Sequence, residues 1–278
     1  MLRLRKGRPM PKKTKVEGWR KIAVATWGHP KDPQIFGDLE IDATAALAFI
    51  DDAREATGIK LTLTHLVGKS LGHALGEHPD LNVRLYRGHF VQRETVDIFF
   101  IVSTGSGADL SGVKVQNADT KAVVDIAGEL ADRSKKIRSG TDAEFGKTKK
   151  NLTRTPHRLL HASLRLAAWL TVDRDYDLKK FGLPRQAFGS AMVSSVGMFG
   201  IQHAYAPMSP YYRVPLLILV GEVALKPAVV EDRIEPRPLL NLAATLDHRY
   251  LDGFHAARLA RSVRAYMEDP KRFEPALH

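Results

Sequence analysis

The chain has 278 residues, 44% hydrophobic and 26% charged, the balance of a soluble globular protein with one large domain or two small ones. It has no cysteine, which excludes disulfides, thiolate metal sites and a cysteine nucleophile. No apolar run reaches the ~18–20 residues of a membrane span, and the basic N-terminus lacks the apolar stretch of a secretory signal, so a cytoplasmic protein is expected.

The net charge of +11 is concentrated in two places. Residues 1–21 carry +8 and residues 133–158 carry +7, which leaves the remainder at −4. Residues 1–16 read as a basic flexible arm, with 17–278 as the folded domain. No aromatic-rich basic face or zinc-finger spacing accompanies the charge, so no nucleic-acid partner is expected.

Taken in order, Gly18–Ala25 is expected to enter the fold and Ile35–Ile41 alternates as a strand. Asp42 is placed to cap a helix over Ala43–Thr57, with Gly58 as its stop. Leu63–Glu77 is a second helix, with Leu66, Leu71 and Leu75 on its core side. Val83–Tyr86 and Phe90–Thr104 read as strands joined by a turn at Gly88. Val113–Val115 is a short strand, and Asp119 or Thr120 caps a helix to about Ser139. Between 140 and 189 lies an extra unit. Thr155-Pro156 marks a helix start, and Leu159, Leu160, Leu164, Ala167, Ala168 and Leu170 give it an amphipathic pattern. Arg158, Arg165 and the flanking lysines suit a membrane surface, but packing on the domain or a neighbouring subunit is the expected role. Met192–Ser195, Leu216–Ala224 and Leu239–Asp247 are further strands, and Phe254–Glu268 is the last helix. Strands and helices mix without regular alternation, which predicts an α/β two-layer sandwich on a mixed β-sheet.

The chemistry concentrates in Asp247-His248-Arg249-Tyr250-Leu251-Asp252-Gly253. A histidine at a strand end, with a carboxylate four residues on, can present one imidazole nitrogen to a thiol or hydroxyl. The same spacing also describes a strand-to-helix turn with an Asp N-cap. His248-x-x-x-Asp252-Gly253, with Asp247 before it and Arg249 within it, resembles the active-site motif of the dihydrolipoamide acyltransferases. These are the core subunits of 2-oxo acid dehydrogenase complexes, related to the chloramphenicol acetyltransferases. Ser194-Ser195-Val196-Gly197-Met198-Phe199-Gly200-Ile201 resembles a second family segment. Gln116-Asn117-Ala118-Asp119 and Met267-Glu268-Asp269-Pro270-Lys271-Arg272-Phe273 are further matches. They run in family order from about residue 17 to 273.

The resemblance implies a chloramphenicol acetyltransferase-like fold with a helical insertion at about 140–189. It implies acyl transfer between coenzyme A and a dihydrolipoyl or other thiol acceptor. His248 would be the general base and Ser194 the donor to the oxyanion, with Ser195 as the alternative. Asp252 would orient the site, by fixing either Arg249 or the local backbone. The family site lies between subunits of a trimer, so a homotrimer is implied, with His248 and Asp252 facing the next chain's Ser194. No residue is assigned to coenzyme A, and no metal is implied. The chain holds no lipoyl hairpin and no Ala/Pro-rich linker, so a lipoyl group is expected from another protein, in trans. Glu274 and Pro275 interrupt the apolar C-terminal cluster of complex-forming relatives. The trimer is therefore expected but cage assembly is not, although Leu277 could still dock.

Other patterns fall short of a site. Asp173-x-Asp175-x-Asp177 begins like a calcium loop, but Leu178 and Pro184 stand where Gly and Glu are required. His157 and His161 have no evident third ligand. Gly105-x-Gly107 lacks the third glycine of a nucleotide turn. A small-molecule O- or N-acyltransferase and a non-catalytic trimeric scaffold are the alternative functions.

Overall fold

A computed structural model describes residues 33–104, 109–138, 157–209 and 211–276. The basic arm, Gly18–Ala25, the Gly105-x-Gly107 pair and Leu277 lie outside the described residues. In chain order the elements are β1 (Gln34–Asp42), α1 (Thr44–Thr57), α2 (Leu63–Glu77), β2 (Val83–Tyr86), β3 (His89–Gln92), β4 (Ile98–Thr104), β5 (Asp109–Val115), α3 (Val123–Arg138), α4 (His157–Ala168), β6 (Ala191–Ser195), β7 (Leu216–Val220), β8 (Ala224–Val230), β9 (Arg233–Asp247) and α5 (Gly253–Glu268). Seven strands form one sheet in the order β1-β9-β7-β6-β4-β5, with β8 paired to β9. The β4–β6 and β6–β7 pairs are parallel and the others antiparallel. The mixed sheet and α/β class expected from the sequence are therefore present.

Strand alternation divides the apolar residues between two faces. Ala191 and Val193 of β6 and Leu216 and Val220 of β7 join the main core. That core also contains Phe49 and Ile50 of α1, Leu66 and Leu71 of α2, Ile126 of α3 and Leu259 of α5. Met192 and Leu217 point the other way, into a smaller cluster with Met208 and Val214. Segment 201–214 crosses part of this second face. Thr245 Oγ1 donates to the Ala206 carbonyl at 2.8 Å, and Gln34 Oε1 accepts the Met208 N–H at 3.0 Å. Among the described residues no helix is long and apolar enough to cross a membrane.

Some boundaries differ from the sequence expectation. Phe90–Thr104 is two strands: β3 pairs with β2 in a separate hairpin, whereas β4 belongs to the main sheet. The break holds Arg93, a buried cation whose side chain turns into the protein. The hairpin turn has Arg87 and Gly88 at φ 49° and 78°, which suits a two-residue primed turn. Leu216–Ala224 is likewise interrupted, at Gly221, whose N–H donates to the Asn241 carbonyl at 3.0 Å. A Cβ there would lie 2.2 Å from the Gln202 carbonyl oxygen. The strand expected at Leu239–Asp247 starts earlier, at Arg233, because β8 folds back on it in a hairpin. Asp42 lies one residue outside the α1 cap, which is Ala43, but its Oδ1 still accepts the Thr44 N–H at 2.9 Å.

The C-terminal segment is held by its own domain. Glu274 is buried and accepts the Val123 N–H at 2.9 Å, at the start of α3. It also accepts the Tyr266 hydroxyl of α5. Glu274→Ala should leave both donors unsatisfied and cost about 2–3 kcal/mol, with Glu274→Gln recovering part of the loss in urea unfolding. His65 on α2 gives a pH test. Its Nδ1 is buried without a partner, and burial lowers its pKa from 6.5 to about 4. The unfolded chain takes up this proton near pH 6.5 and the folded chain only near pH 4. Stability should therefore fall by up to about 3 kcal/mol from this group as pH drops through that window. His65→Leu should flatten that part of the stability–pH profile.

Candidate active site

His248 stands in the turn between β9 and α5. Its N–H donates to the Pro33 carbonyl at 2.7 Å, just ahead of β1, and its side chain is exposed. Asp247 and Arg249 hold the turn on either side. Asp247 is buried, and both its oxygens accept Arg249 Nε, at 3.0 and 3.1 Å. Its Oδ1 also accepts the Arg249 N–H at 3.0 Å, and its own N–H donates to the Pro215 carbonyl at 2.9 Å. Charge-assisted bonds of this kind fix geometry as well as adding energy.

Asp252 takes the second of the two roles expected for it, fixing backbone rather than Arg249. It is the N-cap of α5 and accepts the His255 N–H at 3.1 Å. The Asp252 N–H in turn donates to His255 Nδ1 at 3.3 Å, which closes a reciprocal capping box. The His255 backbone bond is the largest cause of a lowered Asp252 pKa. His255 is not among the candidate residues named from the sequence. His255 stands at the third helical position, where Glu or Gln marks such a box.

Ser194 lies near the end of β6, half-buried, on the face of Met192. The strand ends in a tight turn because Gly197 approaches Gly221: a Cβ on Gly197 would lie 2.4 Å from the Gly221 carbonyl oxygen. Gly200, at φ 75°, ends that turn. Met198 and Phe199 beside Ser194 are 67% and 57% exposed.

The sheet register separates Ser194 from His248. Ser194 is level with Leu219 of β7, and Leu219 with Ala243 of β9. His248 lies five residues beyond Ala243, so roughly 16 Å along the sheet and 10 Å across it separate the two, about 19 Å in all. One protomer therefore cannot bring this imidazole to this hydroxyl.

A charged network that the sequence did not reveal backs the His248 turn. Arg93 is buried, which lowers its pKa to about 10. It donates to the Val83 and Arg213 carbonyls, at 3.3 and 3.2 Å, and to Gln186. Arg84 donates to the Val172 and Asp173 carbonyls, at 3.2 and 3.3 Å, and pairs with Asp175 at 3.4 Å. Asp173 pairs with Arg213 at 3.4 Å, and burial is the largest influence on its raised pKa. Asp173 and Asp175, which open the calcium-like sequence, are thus engaged by arginines. On the other face of the β2–β3 hairpin, the Leu85 N–H donates to the Tyr250 hydroxyl at 3.2 Å, and Phe90 lies 5.9 Å from the Tyr250 ring. The hairpin therefore touches both the inserted unit and the His248 turn, and Asp173 of that unit also senses the charge of Arg249.

Asp252→Ala should lower the unfolding temperature clearly more than Asp252→Asn, since both Asp and Asn cap well. Thermal unfolding of the two variants checks this.

Residues 12–145 and 179–274 match the family described as 2-oxoacid dehydrogenases acyltransferase (catalytic domain). A Schizosaccharomyces pombe protein, a probable dihydrolipoyllysine-residue succinyltransferase component of the 2-oxoglutarate dehydrogenase complex, is 24% identical over 245 residues, 85% of this chain and 44% of the relative. The Bacillus subtilis lipoamide acyltransferase component of the branched-chain alpha-keto acid dehydrogenase complex is 24% identical over 264 residues, 92% of this chain and 52% of the relative. The chain thus spans about half the length of these curated relatives. A solved structure of a probable dihydrolipoamide acetyltransferase from Listeria monocytogenes has the same fold, with TM-score 0.66 and 21% identity, covering 96% of this chain and 98% of that one. The Azotobacter vinelandii dihydrolipoamide acetyltransferase gives TM-score 0.64 at 22% identity, covering 87% and 84%. By the extent of the family match, the chain belongs to the catalytic-domain family of the 2-oxoacid dehydrogenase acyltransferases.

Proposed function

We propose that this protein is an acyltransferase that moves an acyl group between coenzyme A and a dihydrolipoyl or other thiol acceptor. Residues 17–278 form its catalytic domain, and the lipoyl group comes from outside that domain. The family membership supports the reaction class. The observation that carries the site is the presentation of His248 on a turn locked by Asp247 and Arg249.

The acceptor thiol, with a pKa near ~8.5, gives its proton to His248, a transfer that relies on positioning. The thiolate sulfur then bonds to the thioester carbonyl carbon, and the carbonyl oxygen becomes an oxyanion. The Ser194 hydroxyl donates to that oxyanion, a contact typically worth ~3–4 kcal/mol of barrier. As the intermediate collapses, the original carbon–sulfur bond breaks, and the departing thiolate takes the proton back from the His248 imidazolium. The substrate thiol is the nucleophile, so no acyl-enzyme forms.

Asp252 supports the site through the start of α5. The Azotobacter vinelandii enzyme was investigated for the catalytic role of a serine, a histidine and an asparagine four residues after the histidine. Asp252 has the same offset from His248. Asp and Asn are both good N-caps, so this position calls for a cap more than for a charge.

The wide separation of His248 from Ser194 supports a homotrimer in which one chain's His248 works with the next chain's Ser194.

Acetyl transfer from acetyl-coenzyme A to dihydrolipoamide tests the reading. His248→Ala should lower kcat by at least about a hundredfold, and Ser194→Ala by about a hundred- to a thousandfold. Mixed 1:1 during refolding, the two inactive variants should recover up to about a quarter of wild-type activity, because a random trimer leaves that share of its interfaces intact. Recovery would be absent if both groups acted from one chain. Hydroxyl or amine acceptors that outpace the thiol would replace this reading with small-molecule O- or N-acyl transfer. Wild-type rates equal to those of His248→Ala with every acceptor would leave the scaffold role.

A further inference from the structure

Residues 146–178 lie between the two stretches that match the family. In the described part of this unit, α4 continues into a π-helical turn, Trp169–Asp173. The two faces of α4 are unlike. Ala168, Thr171 and Val172 are buried, and Leu164 and Ala167 are half-buried beside them. This is the packed face that the sequence led one to expect. The opposite face carries Ala162, Leu166 and Trp169, all exposed, the last two at 55% and 43%. At about 100° per residue these three fall within an arc of roughly 60° on the side away from the packed face. A surface helix normally places polar residues there.

The charges around this apolar line have one predominant sign. Arg165 and Lys180 are exposed, and Arg174 lies 5.1 Å over the Trp169 ring while donating to the Tyr86 hydroxyl. Tyr176 and Phe181, on the segment that follows, are 51% and 72% exposed. Of the nearby acids, Asp173 and Asp175 are taken up by Arg213, Arg84 and Arg185, and Asp177 by the N–H groups of Lys179 and Arg185.

We propose that this inserted unit seats the protein on an anionic lipid surface. Leu166 and Trp169 enter the boundary between headgroups and acyl chains, and the exposed Arg165 and Lys180 meet lipid phosphates. A narrow apolar line flanked by cations, with a tryptophan on it, matches the physics of an interfacial helix. It needs no shaped counterpart, as a protein partner would. The exposed line on α4 faces away from the side on which Arg84 joins this unit to the β2–β3 hairpin.

Sedimentation with phosphatidylcholine vesicles, with and without phosphatidylglycerol, tests the proposal on the full chain. Binding to the phosphatidylglycerol vesicles should be at least about tenfold tighter and should weaken as salt rises. Leu166→Glu with Trp169→Glu should reduce it about tenfold or more, with oligomeric mass and transfer between soluble thiols unchanged. Trp169→Ser alone, which leaves the packed face of α4 intact, should give a smaller loss of the same kind. Three results would overturn the idea. One is no binding to anionic vesicles at low salt. Another is binding indifferent to these substitutions, which would assign it to basic residues elsewhere in the chain. The third is a change in oligomeric mass, which would mean that the face lies between copies of the chain.

Discussion

The register of β6, β7 and β9 is the constraint on which the candidate chemistry depends. Backbone pairing ties Ser194 to Leu219 and Leu219 to Ala243. Moving any of these strands by one residue would turn its whole core set to the wrong face. The register therefore cannot relax to bring His248 and Ser194 together. Both groups sit on rigid elements at distant parts of one sheet, so cooperation between them requires another copy of the chain. The exposed Met198 and Phe199 beside Ser194 fit that requirement, since apolar side chains at the rim of a site gain most when a neighbour covers them.

The His248 turn is held by layers. Asp247 and Arg249 clamp it from within the motif, and the α5 capping box fixes the chain just after it. Behind these lies the β2–β3 hairpin, in contact with Tyr250 and with the inserted unit. Arg84 and Arg93 donate mainly to main-chain carbonyls, and Arg84 also pairs with Asp175. Buried guanidinium groups suit such junctions because their planar forks satisfy several acceptors at once. The insertion is thereby joined to the domain by directional bonds on one side of the hairpin, while the far face of α4 remains open.

Much of the fold was legible in the sequence. The alternation in Ile35–Ile41 and the helical spacing of Leu66, Leu71 and Leu75 located β1 and α2, because burial on one face writes a period into the chain. Two of the errors share one cause. Phe90–Thr104 and Leu216–Ala224 read as continuous strands because both halves of each are apolar. Apolar periodicity cannot report that Arg93 turns inward, or that Gly221 accepts a carbonyl closer than any Cβ allows. The early start of β9 was hidden because Pro236 and Pro238 argue against a strand interior. The pairing of Pro227 with Pro236 in the projecting hairpin overrides that preference.

What the sequence determined by itself was the fold class and the candidate residues for the site. His248, Asp252 and Ser194 stand in local patterns whose turns, caps and strand ends are written within a few residues of each. What only the tertiary structure decided was their relation. It assigned Asp252 to the backbone of α5 and Arg249 to Asp247, set Ser194 about 19 Å from His248, and left one face of α4 apolar and open. These depend on strand order and register, and on which of several available partners a side chain reaches. Such properties arise from pairing between segments far apart in the chain, and local spacing carries no record of them.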